Sequence, residues 1–153
     1  MKLSHIARTT AVAALAAGSL AIGTGAAQAD PPGTSGNCRA DWTGPGQVTM
    51  SACGYSNADG GLVPSLGVYD GQIGTDACAQ LLRVNSNGST TEVHDYGCNG
   101  WAPLGYYAVN WNAYYPGDGT YVFQYGYWGT PPGGSYGYWG NVQSPRISPT
   151  YSA

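Results

Sequence analysis

From Gln47 onward, apolar or aromatic residues alternate with polar ones in short runs broken by Gly, Pro, Asn and Asp. A period of two places successive side chains on opposite faces of a strand, and no window sustains the 3.6-residue period of a helix. The alternation predicts strands over Gln47–Tyr55, Leu66–Tyr69, Ala77–Val84, Thr90–Tyr96, Tyr106–Tyr115, Thr120–Trp128 and Tyr136–Ser148. About seven short strands at this spacing predict an all-β domain, a small β-sandwich or a compact barrel.

The segment before this pattern divides in two. Residues 1–29 read as an export signal: Lys2 and Arg8 precede an Ala/Leu/Val run from Thr10 to Ile22, and Ala27-Gln28-Ala29 is a small-residue cleavage site. The run is short and alanine-rich for a membrane span. Residues 30–37 (DPPGTSGN) carry Pro31 and Pro32, two glycines and no large apolar side chain, and predict a flexible arm. Residues 38–153 form the expected single β-rich domain, secreted and extracellular.

Four cysteines, Cys38, Cys53, Cys78 and Cys98, lie beyond the signal. An even number in an exported chain predicts two disulfides. A zinc site is the alternative, but none of the four is paired at ligand spacing and His94 is the only imidazole beyond the signal. Three pairings are open to four cysteines, and one hairpin bears on the choice. Asn87-Gly88 separates Leu81–Val84 from Thr90–Val93, and both residues tolerate positive φ. Folding back there sets Cys78 nearly opposite Cys98 and leaves Cys38 for Cys53.

A second turn is expected at Pro116–Gly119. The run Asp118-Gly119-Thr120-Tyr121 resembles the D-x-G-x-Y of the tyrosine corner in immunoglobulin-like sandwiches, one residue shorter, and implies an immunoglobulin-like β-sandwich. Two residues after Tyr121 stands Phe123, where that family has a cysteine. Further on, Tyr125-Gly126-Tyr127-Trp128-Gly129 recurs as Tyr136-Gly137-Tyr138-Trp139-Gly140. An antiparallel pairing with Trp128 across from Gly137 and Trp139 across from Gly126 would let each indole cover a glycine.

The chain carries a formal charge of −3, which becomes −5 once Lys2 and Arg8 leave with the signal. With arginines at 39, 83 and 146 and no lysine beyond residue 2, it lacks the basic face that nucleic acid or an anionic membrane surface requires. Catalytic signatures are sparse. There is no G-x-S-x-G and no H-E-x-x-H. His94 and Asp95 are neighbours on one predicted strand and point to opposite faces, which does not make a triad. His94-Asp95-Tyr96-Gly97 resembles the H-D-F-G of small secreted bacterial phospholipases A2, a helical family with a cysteine where this chain has Thr91. Glu92 is the single glutamate, and Asp59, Asp70 and Asp118 sit in turn sequences. The Asp70–Asp76 run could offer oxygens to calcium but lacks the acid density of a known loop. No metal and no cofactor are expected.

Thirteen tyrosines and five tryptophans against one phenylalanine stand out. Tyr and Trp are favoured where one end of the ring stays wet, and among Gly, Ser and Asn they have the composition of recognition surfaces. Trp101, Tyr114, Tyr115, Trp128, Tyr138 and Trp139 are the candidates for an exposed patch; Tyr107, Val109 and Trp111 share an expected core face. Together these features predict a secreted, non-enzymatic binding protein. Its leading form is a protein-interaction module, an extracellular adaptor in a toxin or antagonism complex or an enzyme inhibitor, whose arm with Pro31 and Pro32 enters a partner. The alternative is a carbohydrate-binding module that uses exposed Tyr and Trp, and the remote one a small secreted hydrolase.

Overall fold

The computed structural model describes residues 37–151. The expected signal and the arm with Pro31 and Pro32 lie outside them, except that Asn37, the arm's last residue, already accepts a hydrogen bond from the Gly54 amide at 2.9 Å. Eight strands form: β1 (Trp42–Gly44), β2 (Val48–Ser56), β3 (Leu62–Asp70), β4 (Asp76–Val84), β5 (Thr90–Cys98), β6 (Gly105–Asn110), β7 (Tyr121–Gly129) and β8 (Gly137–Gln143). They make two antiparallel four-stranded sheets, ordered β1-β2-β3-β6 and β5-β4-β7-β8. The chain crosses between sheets after β3, β5 and β6, and across the sandwich β2 lies against β7 and β8, and β1 against β8. That is the expected immunoglobulin-like sandwich, and both expected disulfides, Cys38–Cys53 and Cys78–Cys98, are formed. No helix among the described residues is long and apolar enough to cross a membrane.

The core follows the alternation. Val48, Met50 and Ala52 on β2, Leu66 and Val68 on β3, Ala77, Ala79 and Leu81 on β4, and Val109 on β6 turn inward and are buried. On β7 the whole run Tyr121, Phe123, Tyr125, Tyr127 is buried. A buried phenol needs a partner, and each has a main-chain carbonyl. The Tyr127 hydroxyl donates to Pro45 O at 2.7 Å, Tyr125 donates to Cys53 O, and Tyr121 lies 3.1–3.3 Å from the carbonyls of Pro116, Gly117 and Asp118. The last arrangement is the tyrosine corner at the β6–β7 crossing.

Strand ends differ from expectation for identifiable reasons. The β3–β6 ladder stops at Asn110 because the next partner is Pro64, whose carbonyl accepts from Trp111 N but which has no N–H to return. Pairing resumes only at Leu62 with Tyr114. Likewise β8 ends at Gln143, before Pro145, and the Ser144 hydroxyl accepts from the Phe123 amide at 3.0 Å. The added strand β1 was hidden in the turn-like run Trp42-Thr43-Gly44-Pro45-Gly46. The repeat pairs one residue away from expectation: Trp128 faces Tyr138 and Gly126 faces Gly140, with Asn141 bulged at φ +70°.

One buried group makes stability pH-dependent. Asp70, 2% exposed, has both carboxylate oxygens within 3.0 Å of the Thr75 hydroxyl, which lies 2.6 Å from the Tyr107 hydroxyl. Burial pushes its carboxyl up from 3.8 to about 6, against the opposing effect of the Thr75 hydrogen bonds. Between about pH 4 and 6 the folded chain therefore holds a proton that the unfolded chain has released. This contribution to stability is complete below about pH 4 and is lost as the pH rises to about 6. Melting temperature should fall across that window, and Asp70→Asn should remove the fall relative to the parent; parallel profiles would refute the assignment to Asp70.

Candidate functional site

The outer face of the β5-β4-β7-β8 sheet carries the most organised surface chemistry. Along β7, Gln124, Gly126 and Trp128 share that face. Register extends it sideways: Asp76, Cys78 and Gln80 of β4 lie beside Trp128, Gly126 and Gln124, Tyr138 and Gln143 of β8 flank Trp128 and Gln124, and Cys98 and Asp95 of β5 flank Cys78 and Gln80.

At one end stand the rings. Trp128 stacks on Tyr136 with centroids 5.5 Å apart and planes at 18°, and Tyr138 meets Trp128 edge-on at 5.5 Å and 62°. Tyr138 can lie low on the sheet because residue 126 is glycine: a Cβ there would sit 2.2 Å from the Tyr138 hydroxyl oxygen. Burial, and secondarily the charge of Asp95, raises the Tyr138 phenol above its ordinary value. Tyr136 is 62% exposed and Trp128 37%. Trp101, also exposed, covers Gly74, two residues before the Asp76 that pairs with Trp128, and so belongs to the same end of the sheet.

Beyond the rings runs a ladder of side-chain amides spanning all four strands. The Gln143 amide nitrogen donates to Gln124 Oε1 at 3.3 Å, Gln124 donates to Gln80 Oε1 at 3.3 Å, and Gln80 donates to Glu92 Oε2 at 2.8 Å. A primary amide has two N–H donors and two acceptor lone pairs. The ladder engages one donor of each glutamine, so a second N–H remains on every rung, at the strand spacing of about 4.8 Å. The Gln143 Oε1 atom is buried with no protein partner. Asp76, Glu92 and Asp95 make the face acidic, and Gly100 N and Gly97 N donate to Asp76 and Asp95 at 2.7 and 2.8 Å.

Of the residues singled out from the sequence, Trp128 and Tyr138 come together here, and Trp101 stands at the same end of the sheet against Gly74. The others do not. Trp139 pairs with Tyr127, turns inward against the core and donates from its indole to Gly129 O at 3.4 Å. Tyr114 packs on the core with its ring stacked on His94 at 4.1 Å, while Tyr115 is exposed elsewhere and donates to Asp59 at 3.0 Å. Pro31 and Pro32 lie outside the described residues. Sequence reasoning passed over Tyr136, whose counterpart in the repeat, Tyr125, is core. It also passed over the three glutamines and Glu92, whose adjacency appears only once strand register is known.

The catalytic alternatives gain no geometry. His94 contacts the rings of Tyr96 and Tyr114, and Asp95 is turned away to its own turn. The four-residue likeness to the helical phospholipases sits on a β-strand. The two carboxylates of Asp70–Asp76 are engaged by Thr75 and Gly100, and no group of potential metal ligands gathers among the described residues. Comparison with known proteins returns no protein-family model, no curated protein and no solved structure that matches this chain.

Proposed function

We propose that this chain is an exported, non-enzymatic binding module that holds a neutral polysaccharide on the outer face of the β5-β4-β7-β8 sheet. The observation that carries this reading is the presence of the Trp128–Tyr136–Tyr138 rings and the Gln143–Gln124–Gln80–Glu92 ladder on one face of the sheet. A sugar ring presents a face of C–H bonds and a rim of hydroxyls. Aromatic faces, negative at their centre, receive the first, and fixed amides and carboxylates receive the second. Because the glutamines already hold one another, little rotamer freedom remains to be lost on binding, which favours affinity. Acidic residues and the absence of lysine on this face disfavour sulfated or phosphorylated glycans. Two disulfides suit an oxidising, extracellular setting.

Retention of the domain on insoluble chitin, cellulose and bacterial cell-wall glycan tests the reading. The parent should be retained on one of them. Trp128→Ala and Tyr136→Ala should each weaken binding about tenfold, equivalent to about 1.4 kcal/mol, while Tyr115→Ala, away from this face, leaves it unchanged. No retention on any glycan, with a stoichiometric secreted protein co-purifying instead, would replace this reading with the protein-interaction module.

A further inference from the structure

The opposite surface of the sandwich has its own concave feature. On the outer face of the β1-β2-β3-β6 sheet lies a shallow groove of about 190 Å³. Asp41, Thr49, Ser51, Gly67, Tyr69 and Tyr106 line it. Register explains their convergence: Thr49 pairs with Tyr69, Tyr69 with Tyr106, and Ser51 with Gly67. Tyr106 is 74% exposed and Tyr69 55%, although neither helps to cover the core.

Gly67 forms part of the floor. Its φ is not among the positive values that would demand glycine, and a Cβ built there would meet Tyr106 Oη at 3.4 Å and Ser51 Cβ at 3.6 Å. An added side chain would thus fill the groove without straining the backbone, so the glycine keeps space open rather than permitting a turn.

We propose that this groove is a second saccharide site, so that the protein bridges two glycan chains rather than capping one; the inference rests on the glycan-binding reading of the other face. The lining selects the ligand class. The groove's floor, Thr49, Ser51 and Gly67, lies on the inner strands β2 and β3, so an extended peptide lying on it meets no edge strand there. What it presents instead is two phenol rings, the hydroxyls of Thr49 and Ser51, and the Asp41 carboxylate. No cationic side chain lines it to attract phosphate or sulfate. Its volume is below the roughly 300 Å³ at which drug-sized pockets begin, which suits one sugar ring of a longer chain. Because the outer faces of two packed sheets point apart, about 10 Å of core lying between them, two occupied faces hold separate strands of glycan. On a particulate glycan that gives avidity, and on a soluble one it gives cross-linking.

Calorimetry and light scattering with chitohexaose and cellohexaose, and with the soluble polymer of whichever binds, test the proposal. The parent should bind two oligosaccharides and raise scattering with the polymer. Tyr106→Ala and, independently, Gly67→Val should each leave one site and abolish the scattering, as should Trp128→Ala from the other side. One site in the parent, lost in Trp128→Ala and untouched in the groove variants, overturns the second site and leaves the first reading standing. One site lost only in the groove variants overturns both the bridge and the assignment of the Trp128 face. Binding of neither oligosaccharide overturns the second site, and it overturns the first reading as well when the parent is retained on none of the three insoluble glycans.

Discussion

Phe123→Ala should lower folding stability by about 3–5 kcal/mol, the usual range for emptying a fully buried aromatic position, and should do so without moving the main chain of either sheet. Phe123 is 0% exposed, pairs with Leu81 on β4 and points across the sandwich to β2. There residue 54 is glycine, and a Cβ on it would come within 2.5 Å of the Phe123 ring. The ring therefore fills a recess that reaches the backbone of the opposite sheet, flanked by Tyr96 and Tyr125 with centroids 6.1 and 6.2 Å away. Two residues after the corner tyrosine, an immunoglobulin-like sandwich can tie its sheets with a cysteine; here a ring seated on a glycine makes the inter-sheet contact. Urea denaturation of the parent and variant should show a lower midpoint with an unchanged slope. A loss below about 1 kcal/mol would mean that the recess collapses and that the sheets are held together elsewhere.

The same residues show what could be read in advance. Hairpin chemistry at Asn87-Gly88 was legible because the signal is local, and it carried the pairing of Cys78 with Cys98 although two bulges, at Ala79/Gln80 and Leu81/Leu82, intervene. The corner at Tyr121 was legible for the same reason: its acceptors lie three to five residues upstream. Tyrosine excess was harder to interpret. Alternation sets Tyr125 and Tyr127 on one face of their strand, but their hydroxyls reach carbonyls 72 and 82 residues away, and such distant acceptors leave no mark in the local pattern. Trp128 and Trp139 occupy equivalent places in the repeat, yet one faces out and the other in. Antiparallel pairing of Trp128 with Tyr138 puts Trp139 opposite the buried Tyr127, a one-residue matter of register. The amide ladder depended on register throughout, since its links join residues 19, 44 and 12 positions apart.

The two disulfides should have similar thermodynamic weight and different functional weight. Cys38–Cys53 and Cys78–Cys98 span 15 and 20 residues, and loop-closure entropy assigns each a stabilisation of about 3 kcal/mol. Their positions differ. Cys38–Cys53 ties the entering chain to β2, in the sheet that does not carry the ladder. Cys78–Cys98 lies on the ladder's own face, one step from Gln80, and clamps the last residue of β5, an edge strand bonded to β4 alone. Without that clamp β5 keeps its bulged ladder to β4 and the packing of Val93 and Tyr96 on the core, but its end frays, and Asp95 and Glu92, which close the polar side of the face, are held less firmly. Replacing Cys78 and Cys98 by alanine should therefore reduce both stability and glycan retention, whereas replacing Cys38 and Cys53 should reduce stability alone. Retention is best compared in a Tyr106→Ala background, which silences the groove on the first sheet, and well below both unfolding midpoints. Equal retention by the two variants would remove β5 from the binding face and confine recognition to the rings and the three glutamines.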